Sequence, residues 1–223
     1  MKVFRRLVLD QEGNSVTTAF FVTGTDTEIG KTHVSCLLLK QYAAQGLKVI
    51  GMKPIAAGCE LVDGEWVNDD VQRLVAASNV QAPMEWINPY RFKEPIAPHL
   101  AAEKANVRID IQHILDCFEK LKTLADVVIV EGAGGFLVPL NADDDMAELA
   151  IVLGIPTILV VGMRLGCINH SLLTAEAIKA RGLVLHGWVA NHIDPEMDVQ
   201  KENIQTITRQ LGLEPMLISA WVR

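Results

Sequence analysis

The string GTDTEIGKT at residues 24–32 places a lysine and a hydroxyl directly after a glycine-bracketed loop. An apolar run at 19–22 precedes it and a helix-like run at 33–44 follows, so the order is strand, glycine loop, helix. Such a loop turns successive backbone N–H groups inward, and the helix start adds a partial positive charge. That is chemistry for a nucleoside triphosphate. Lys31 reaches the β- and γ-phosphates, and the Thr32 hydroxyl ligates Mg²⁺. The ordinary G-x-x-x-x-G-K-[ST] spacing is stretched here, since five residues separate Gly24 from Gly30. A plain glycine turn with an exposed lysine is the poorer reading, because strand and helix are both in place.

Other residues have types that suit the same chemistry. Glu131 ends a β-branched run and opens EGAGG, with three glycines in four residues after it. A carboxylate at that place binds Mg²⁺ directly or through water. Asp69 and Asp70 begin a helix; capping accounts for them alone, whereas beside Thr32 and Glu131 one of them completes a shell of oxygens. Lys53 ends the second strand, where it is either a solvated lysine or a cation for a transferring phosphoryl group. Arg164 and the run Gly166, Cys167, Ile168, Asn169, His170 open a helix that either holds a carboxylate or phosphate on its N–H groups or is simply capped. Asp143, Asp144 and Asp145 read as a solvated helix start. His99, His113 and His186 read as structural or exposed, no histidine pair has zinc spacing, and His33 and His170 lie near helix starts facing the site.

These residues need a frame that brings them together. Strands are expected at 19–22, 47–52, 126–130, 155–161, 184–190 and 216–218. Helices are expected at 33–45, 69–79, 96–104, 110–124, 144–153, 167–181 and 198–211. Residues 55–67 read as irregular loop. Residues 82–98 carry four prolines and form no single regular element, and long loops of this kind are often functional. Alternating strand and helix give an α/β fold with three layers, a mostly parallel central sheet with helices on both faces. Its ligands gather beyond the carboxyl ends of the strands. With no repeat or linker, residues 17–223 read as a single domain and residues 1–16 as an N-terminal extension.

Composition excludes several classes. The chain has 223 residues, half of them hydrophobic, and a net charge of −7 from 20 basic and 27 acidic residues. There is no basic run beyond Arg5 and Arg6, which argues against nucleic acid. No apolar run approaches a membrane span of roughly 20 residues. Four scattered cysteines without a C-x-x-C pair read as buried thiols of a cytoplasmic protein.

The strings FVTGTDTEIGKT, GMKPIAAG, EGAGG followed by PL, VVGMRLGCINH with LTAEAI, and GWVAN stand in one order across most of residues 20–191. In this combination the chain resembles the dethiobiotin synthetases, a family similar to the phosphate-loop (P-loop NTPase-like) proteins. The resemblance implies an ATP-dependent cyclo-ligase of biotin biosynthesis. Its partners are 7,8-diaminononanoate, CO₂ or bicarbonate, and ATP with Mg²⁺. The amine takes up CO₂ as a carbamate, ATP phosphorylates it to a carbamic–phosphoric anhydride, and the second amine closes the ureido ring. The resemblance also implies a homodimer with substrate near the subunit interface. By position, Lys53 and Lys31 match catalytic lysines, and Thr32, Asp70 and Glu131 match Mg²⁺ ligands. Glu28, Ile29, Gly30, Lys31, Thr32, His33, Asp70, Glu131, Gly132, Ala133, Gly134, Asn191, His192, Ala220, Trp221 and Val222 match nucleotide-binding positions. Ala57, Arg164, Gly166, Cys167, Ile168 and Asn169 match substrate positions, the last four at a helix start receiving the substrate carboxylate across the dimer.

The chain departs from the family pattern at defined places. Ala57 replaces a serine, removing a hydroxyl contact. Arg164 replaces a lysine, keeping the charge and changing its geometry. His192 replaces an aspartate facing the base, and the tail ends early at Ala220-Trp-Val-Arg223, so breadth among nucleotides is expected. Two other functions fit the loop alone. A partitioning-type regulatory ATPase usually has a second lysine early in the loop, where Thr25 to Thr27 stand here. An amidase-type ligase needs a glutaminase domain that this length does not hold. A diverged paralogue with an altered substrate is the remaining alternative, prompted by Ala57 and the tail.

Overall fold

The computed structural model describes residues 17–219. The reading of residues 1–16 as an extension, and of Ala220, Trp221 and Val222 as base-pocket residues, lies outside them. In chain order the elements are β1 (Thr18–Gly24), α1 (Lys31–Ala43), β2 (Val49–Met52), β3 (Ile55–Ala56), β4 (Glu60–Val62), β5 (Glu65–Val67), α2 (Asp69–Ala77), α3 (Met84–Ile87), β6 (Tyr90–Arg91), α4 (Pro98–Lys104), α5 (Ile111–Lys122), β7 (Val127–Glu131), α6 (Met146–Leu153), β8 (Thr157–Met163), α7 (Cys167–Ala180), β9 (Leu185–His192), α8 (Gln200–Leu211) and β10 (Leu217–Ser219). Six strands form one parallel sheet in the order β10-β9-β8-β1-β7-β2.

The sheet strands are apolar throughout because both faces are covered, and alternate residues enter different cores. Phe20 and Val22 of β1 and Val127 and Ile129 of β7 pack with Val34, Leu38 and Leu39 of α1 and Leu74 of α2. Phe21, Val128 and Val130 face the other way, onto Ile114, Phe118 and Leu121 of α5 and Met146 of α6. Farther along the same face, Leu159 and Val161 of β8 meet Cys167 and Ala175 of α7 and Ile207 of α8. Each fully buried aliphatic or Phe side chain contributes roughly 1.5–3 kcal/mol. The three layers therefore hold the strand ends firmly.

The strand order decides which ends are neighbours. The chain runs from β1 to β2 over the place later filled by β7, and then crosses back from β7 to β8 on the other side of β1. That reversal opens a crevice at the carboxyl end of β1, and the 24–32 loop fills its lip.

Several elements differ from the sequence expectation. Residues 55–67 are not one irregular loop. They hold β3, which pairs with β6, and the β4–β5 hairpin. The hairpin turns at Asp63 (φ 51°) and Gly64 (φ 86°), the doubly positive geometry that an Asp-Gly pair favours. The fourth helix starts at Pro98 rather than 96, with the proline in its first turn where its missing N–H is harmless. Strand β7 includes Glu131, and β9 runs on through Asn191 and His192.

Candidate active site

The loop after β1 is built around two close approaches. Gly30 sits at φ 83°, and a Cβ there would lie 2.1 Å from the Asn191 amide. Asn191 uses that proximity, donating from Nδ2 to the Ile29 carbonyl at 2.8 Å. Beneath the loop, a Cβ on Gly162 of β8 would fall 2.7–2.8 Å from Ile29. Ile29 is thus a buried prop pressed onto β8, and only its backbone faces the loop. Helix α1 begins with no side-chain cap and no acidic residue in its first turn. Its first N–H groups are free for an anion. Lys31 Nζ donates to the Asp26 carbonyl at 2.8 Å, folded across the loop. Glu28 stands exposed in the left-handed region at φ 58°.

Behind the loop lies a buried charge cluster. Glu131 is completely buried at the end of β7. Its Oε1 accepts from Thr32 Oγ1 at 2.7 Å and from Lys53 Nζ at 2.5 Å. Lys53 also reaches Asp70 Oδ2 at 2.9 Å. Glu131 Oε2 is buried with no partner among the described residues. Lys53 is therefore no solvated lysine, being 5 % exposed. Burial pushes its pKa down, but the Glu131 and Asp70 carboxylates outweigh that and hold it above the ordinary lysine value. Burial raises the Asp70 pKa, and Lys53 outweighs it to hold the carboxyl below its usual range. Asp70 is also released from capping duty, since Asn68 Oδ1 accepts from the Asp70 and Val71 N–H groups.

Lys31 behaves differently. Burial first, then the neighbouring Lys53, lower its pKa to about 8 against the pull of Glu131, Asp70 and Asp26.

These groups line one cavity of about 690 Å³. Thr27, Glu28, Gly30, Lys31, Thr32 and His33 form one wall, Lys53, Ala57 and Asp70 another, and Glu131, Ala133 and Gly134 a third. The proline-rich segment closes it with Pro95, Ile96, Ala97 and Pro98. Gly132 is buried behind the lining, its N–H donating to the Val22 carbonyl. At the far end Arg73 lines the cavity, and His33 Nε2 lies 2.9 Å from Ser219 Oγ. His192 Nε2 is buried without a partner among the described residues.

Some expected substrate residues lie elsewhere. Arg164, Gly166, Cys167, Ile168 and Asn169 do not line this cavity. Arg164 pairs with Asp26 Oδ2 at 2.5 Å, joining the start of α7 to the phosphate loop. The Cys167 side chain is buried in the core and its N–H donates to the Arg164 carbonyl, so it offers nothing outward. Like α1, α7 starts from a left-handed glycine, Gly166 at φ 94°, with no side-chain cap. The acidic run 143–145 leads into α6 but is not simply solvated, since Asp145 caps the helix and pairs with Arg181.

Sequence reasoning missed Asn88, Asp26 and Arg73. Asn88 Nδ2 donates to the Lys53 carbonyl at 2.6 Å and so fixes the lysine backbone. Its only signal was an Asn-Pro pair inside a loop already noted as unusual. Asp26 was hidden inside the loop string, and Arg73 on an ordinary helix face.

A family model described as an AAA domain matches residues 18–218. The chain is 56 % identical over 192 residues to the ATP-dependent dethiobiotin synthetase BioD of Nitrosospira multiformis, covering 86 % of this chain and 83 % of the relative. It is 54 % identical over 207 residues to the protein of the same name from Aromatoleum aromaticum, covering 91 % and 92 %. Among solved structures it is similar to a ParA family ATPase from Chlorobium tepidum TLS, with TM-score 0.56, 12 % identity and coverage of 93 % and 85 %. It is also similar to the MinD cell division protein of Aquifex aeolicus, with TM-score 0.55, 16 % identity and coverage of 91 % and 82 %. At those identities the structural likeness concerns the fold alone.

The lowered Lys31 pKa has a defined sign in stability. Between about 8 and the ordinary 10.5 the folded chain binds fewer protons than the unfolded one, so this group's contribution to stability rises with pH. Its penalty is complete below about 8. Lys31→Met is expected to be more stable than the parent near pH ~7 and to lose most of that advantage by about pH 10.5. Urea unfolding at both pH values checks this, and an advantage that grows with pH contradicts it.

Proposed function

We propose how this site works from one premise: the chain belongs to the ATP-dependent dethiobiotin synthetase family. It uses ATP, 7,8-diaminononanoate and CO₂ to make dethiobiotin in biotin biosynthesis. One observation carries the assignment of residues. Lys31, Thr32, Lys53, Asp70 and Glu131, drawn from four separate elements or their flanks, converge on a single cavity. The likeness to ParA and MinD proteins does not extend to their roles.

The donor set suits Mg²⁺. Glu131 Oε2 is a buried carboxylate oxygen without a partner among the described residues, and Thr32 and Asp70 are hard oxygen donors beside it. Among the described residues no cluster of three or more His, Cys, Asp or Glu is poised for a metal. Mg²⁺ needs only one or two carboxylates when phosphates and water complete its shell. Thr32, Asp70 and Glu131 would hold it. When bound it supplies charge neutralisation on the phosphate oxygens.

The chain's own residues do the rest by positioning and charge. The free N–H groups at the start of α1 receive the phosphates, with Lys31 reaching across them. Ala133 and Gly134, which line the cavity with a small side chain or none, let the backbone approach the bound ligands closely. One substrate amine adds to CO₂ and loses a proton, giving a carbamate. Lys53 and Lys31 hold that carbamate oxygen in line with the γ-phosphorus. The oxygen–phosphorus bond forms as the bond to ADP breaks. The second amine then attacks the carbamate carbon, phosphate leaves, and the ring closes. Asn191 secures the loop through Ile29, and with His192 and His33 it marks the base end.

The placement of α7 supports a homodimer. Its uncapped start at Gly166, with Ile168 and Asn169, lies outside this chain's own cavity, and the adjoining Leu165 is 95 % exposed. A second copy would bring those N–H groups to the substrate carboxylate of the first. We also place the protein in the cytoplasm, since its four cysteines are free thiols, as a reducing compartment requires.

Three measurements test this account. Lys53→Ala is expected to reduce dethiobiotin formation from ATP, Mg²⁺, bicarbonate and 7,8-diaminononanoate by at least about 100-fold, with an unchanged circular dichroism spectrum. Near-normal turnover would remove Lys53 from the chemistry. With His192 at the base end, GTP and CTP are expected to support turnover within about tenfold of ATP, a difference of ~1.4 kcal/mol; strict dependence on ATP contradicts this. Sedimentation equilibrium is expected to give a dimer for the parent chain and a shift toward monomer for Leu165→Asp; a monomeric parent sinks the shared site.

A further inference from the structure

The Lys53 ammonium lies among the side chains that would hold the cation. Its Nζ lies 2.5 Å from Glu131 Oε1 and 2.9 Å from Asp70 Oδ2, and Thr32 Oγ1 donates to the same Glu131 oxygen at 2.7 Å. The three side chains that would ligate Mg²⁺ are thus gathered round, or one bond from, a single ammonium. The site is closed on the Glu131 side, where the side chain is fully buried, and open on the Asp70 side, where it is 41 % exposed.

Only the side chain of Lys53 is free to leave. Its N–H donates to the Ile87 carbonyl at 2.9 Å, and its own carbonyl accepts from Asn88 Nδ2 at 2.6 Å. Strand β2 holds the residue before it. Any exchange therefore runs through the flexible four-carbon stem.

We propose that Lys53 is an internal stand-in for the divalent cation. In the nucleotide-free protein it compensates Asp70 and Glu131 and keeps free divalent ions out. It moves to the reacting phosphoryl group only when a cation arrives together with nucleotide phosphates. Leaving earlier would strand a buried carboxylate without its partner, which is strongly unfavourable. A cation entering alone would lie against the ammonium, two positive charges in a poorly solvated space. A cation entering with a polyphosphate removes both obstacles, because it replaces the charge at the carboxylates and the phosphates offer the ammonium new oxygens. The same side chain then senses nucleotide and serves the transfer, so the carbamate meets its lysine only after the phosphate donor is seated. This deepens the reading of the site under the proposed function but needs only its cation position, not the diamine.

Mn²⁺ binding to the full chain, followed by electron paramagnetic resonance without nucleotide, tests the idea. Lys53→Met is expected to bind Mn²⁺ at least about tenfold more tightly than the parent, since the competitor is gone. Equal affinities overturn the proposal. Should Lys53→Met fail to fold, the parent itself decides through the nitrogen-15 resonance of the Lys53 ammonium. That signal is expected to shift with Mg²⁺ and ADP together and to stay in place with Mg²⁺ alone; a full shift with Mg²⁺ alone overturns the proposal. Neither readout involves the amine substrate or turnover, so a failure here and a failure to make dethiobiotin are told apart.

Discussion

A carboxylate with no solvent access, Glu131, ends an otherwise aliphatic strand, and the site is arranged around satisfying it. Burying an ion alone is prohibitive, so partners are needed within hydrogen-bond reach. Thr32 and Lys53 both turn to the same Glu131 oxygen, and Asp70 shares the lysine. The other oxygen lacks a partner among the described residues. A buried pair of this kind is weak evidence for added stability, since desolvation offsets attraction. Its value lies in geometry. It fixes the directions in which three oxygens and one ammonium point before any ligand arrives.

Sheet order makes that arrangement available. β7 lies between β1 and β2, so Glu131 emerges between the phosphate loop and Lys53. The order β1-β7-β2 sets lysine, carboxylate and lysine side by side at one edge. This also explains the opposite behaviour of the two lysines. Lys53 touches both carboxylates and is held charged, whereas Lys31 loses affinity for its proton first through burial and then through Lys53, and bonds only a carbonyl.

A second layer of contacts steadies the lip of the crevice. Asn191 holds the Ile29 carbonyl, Ile29 rests on Gly162, and Asp26 joins Arg164 at the start of α7. The Arg164–Asp26 pair is half exposed and contributes at most about 1 kcal/mol to stability. Its consequence is positional, because it links the loop that faces the triphosphate to the helix start that faces outward. The two uncapped, glycine-led helix starts, α1 and α7, are thereby tied together while serving different surfaces.

Much of this was legible without coordinates. The strand–loop–helix string at 24–32, the buried runs and the glycines after Glu131 obey local rules, so they reveal the layers and the phosphate loop. The Asp-Gly turn at 63–64 was equally local and simply went unread in a stretch taken as loop. What no local rule contains is the meeting of Lys53 with Glu131, 78 residues later. Spacing left Lys53 undecided between a solvated residue and a reacting one. Only the insertion of β7 beside β2 settled its burial, because a side chain's surroundings depend on which distant strand becomes its neighbour. The same reason hid Asn88, whose amide gains its role at the site because Lys53 lies against it. Residue types and periodicity determined the architecture and the kinds of groups present; the packing of the sheet decided which of those charges face one another, since charge compensation acts through space and not along the chain.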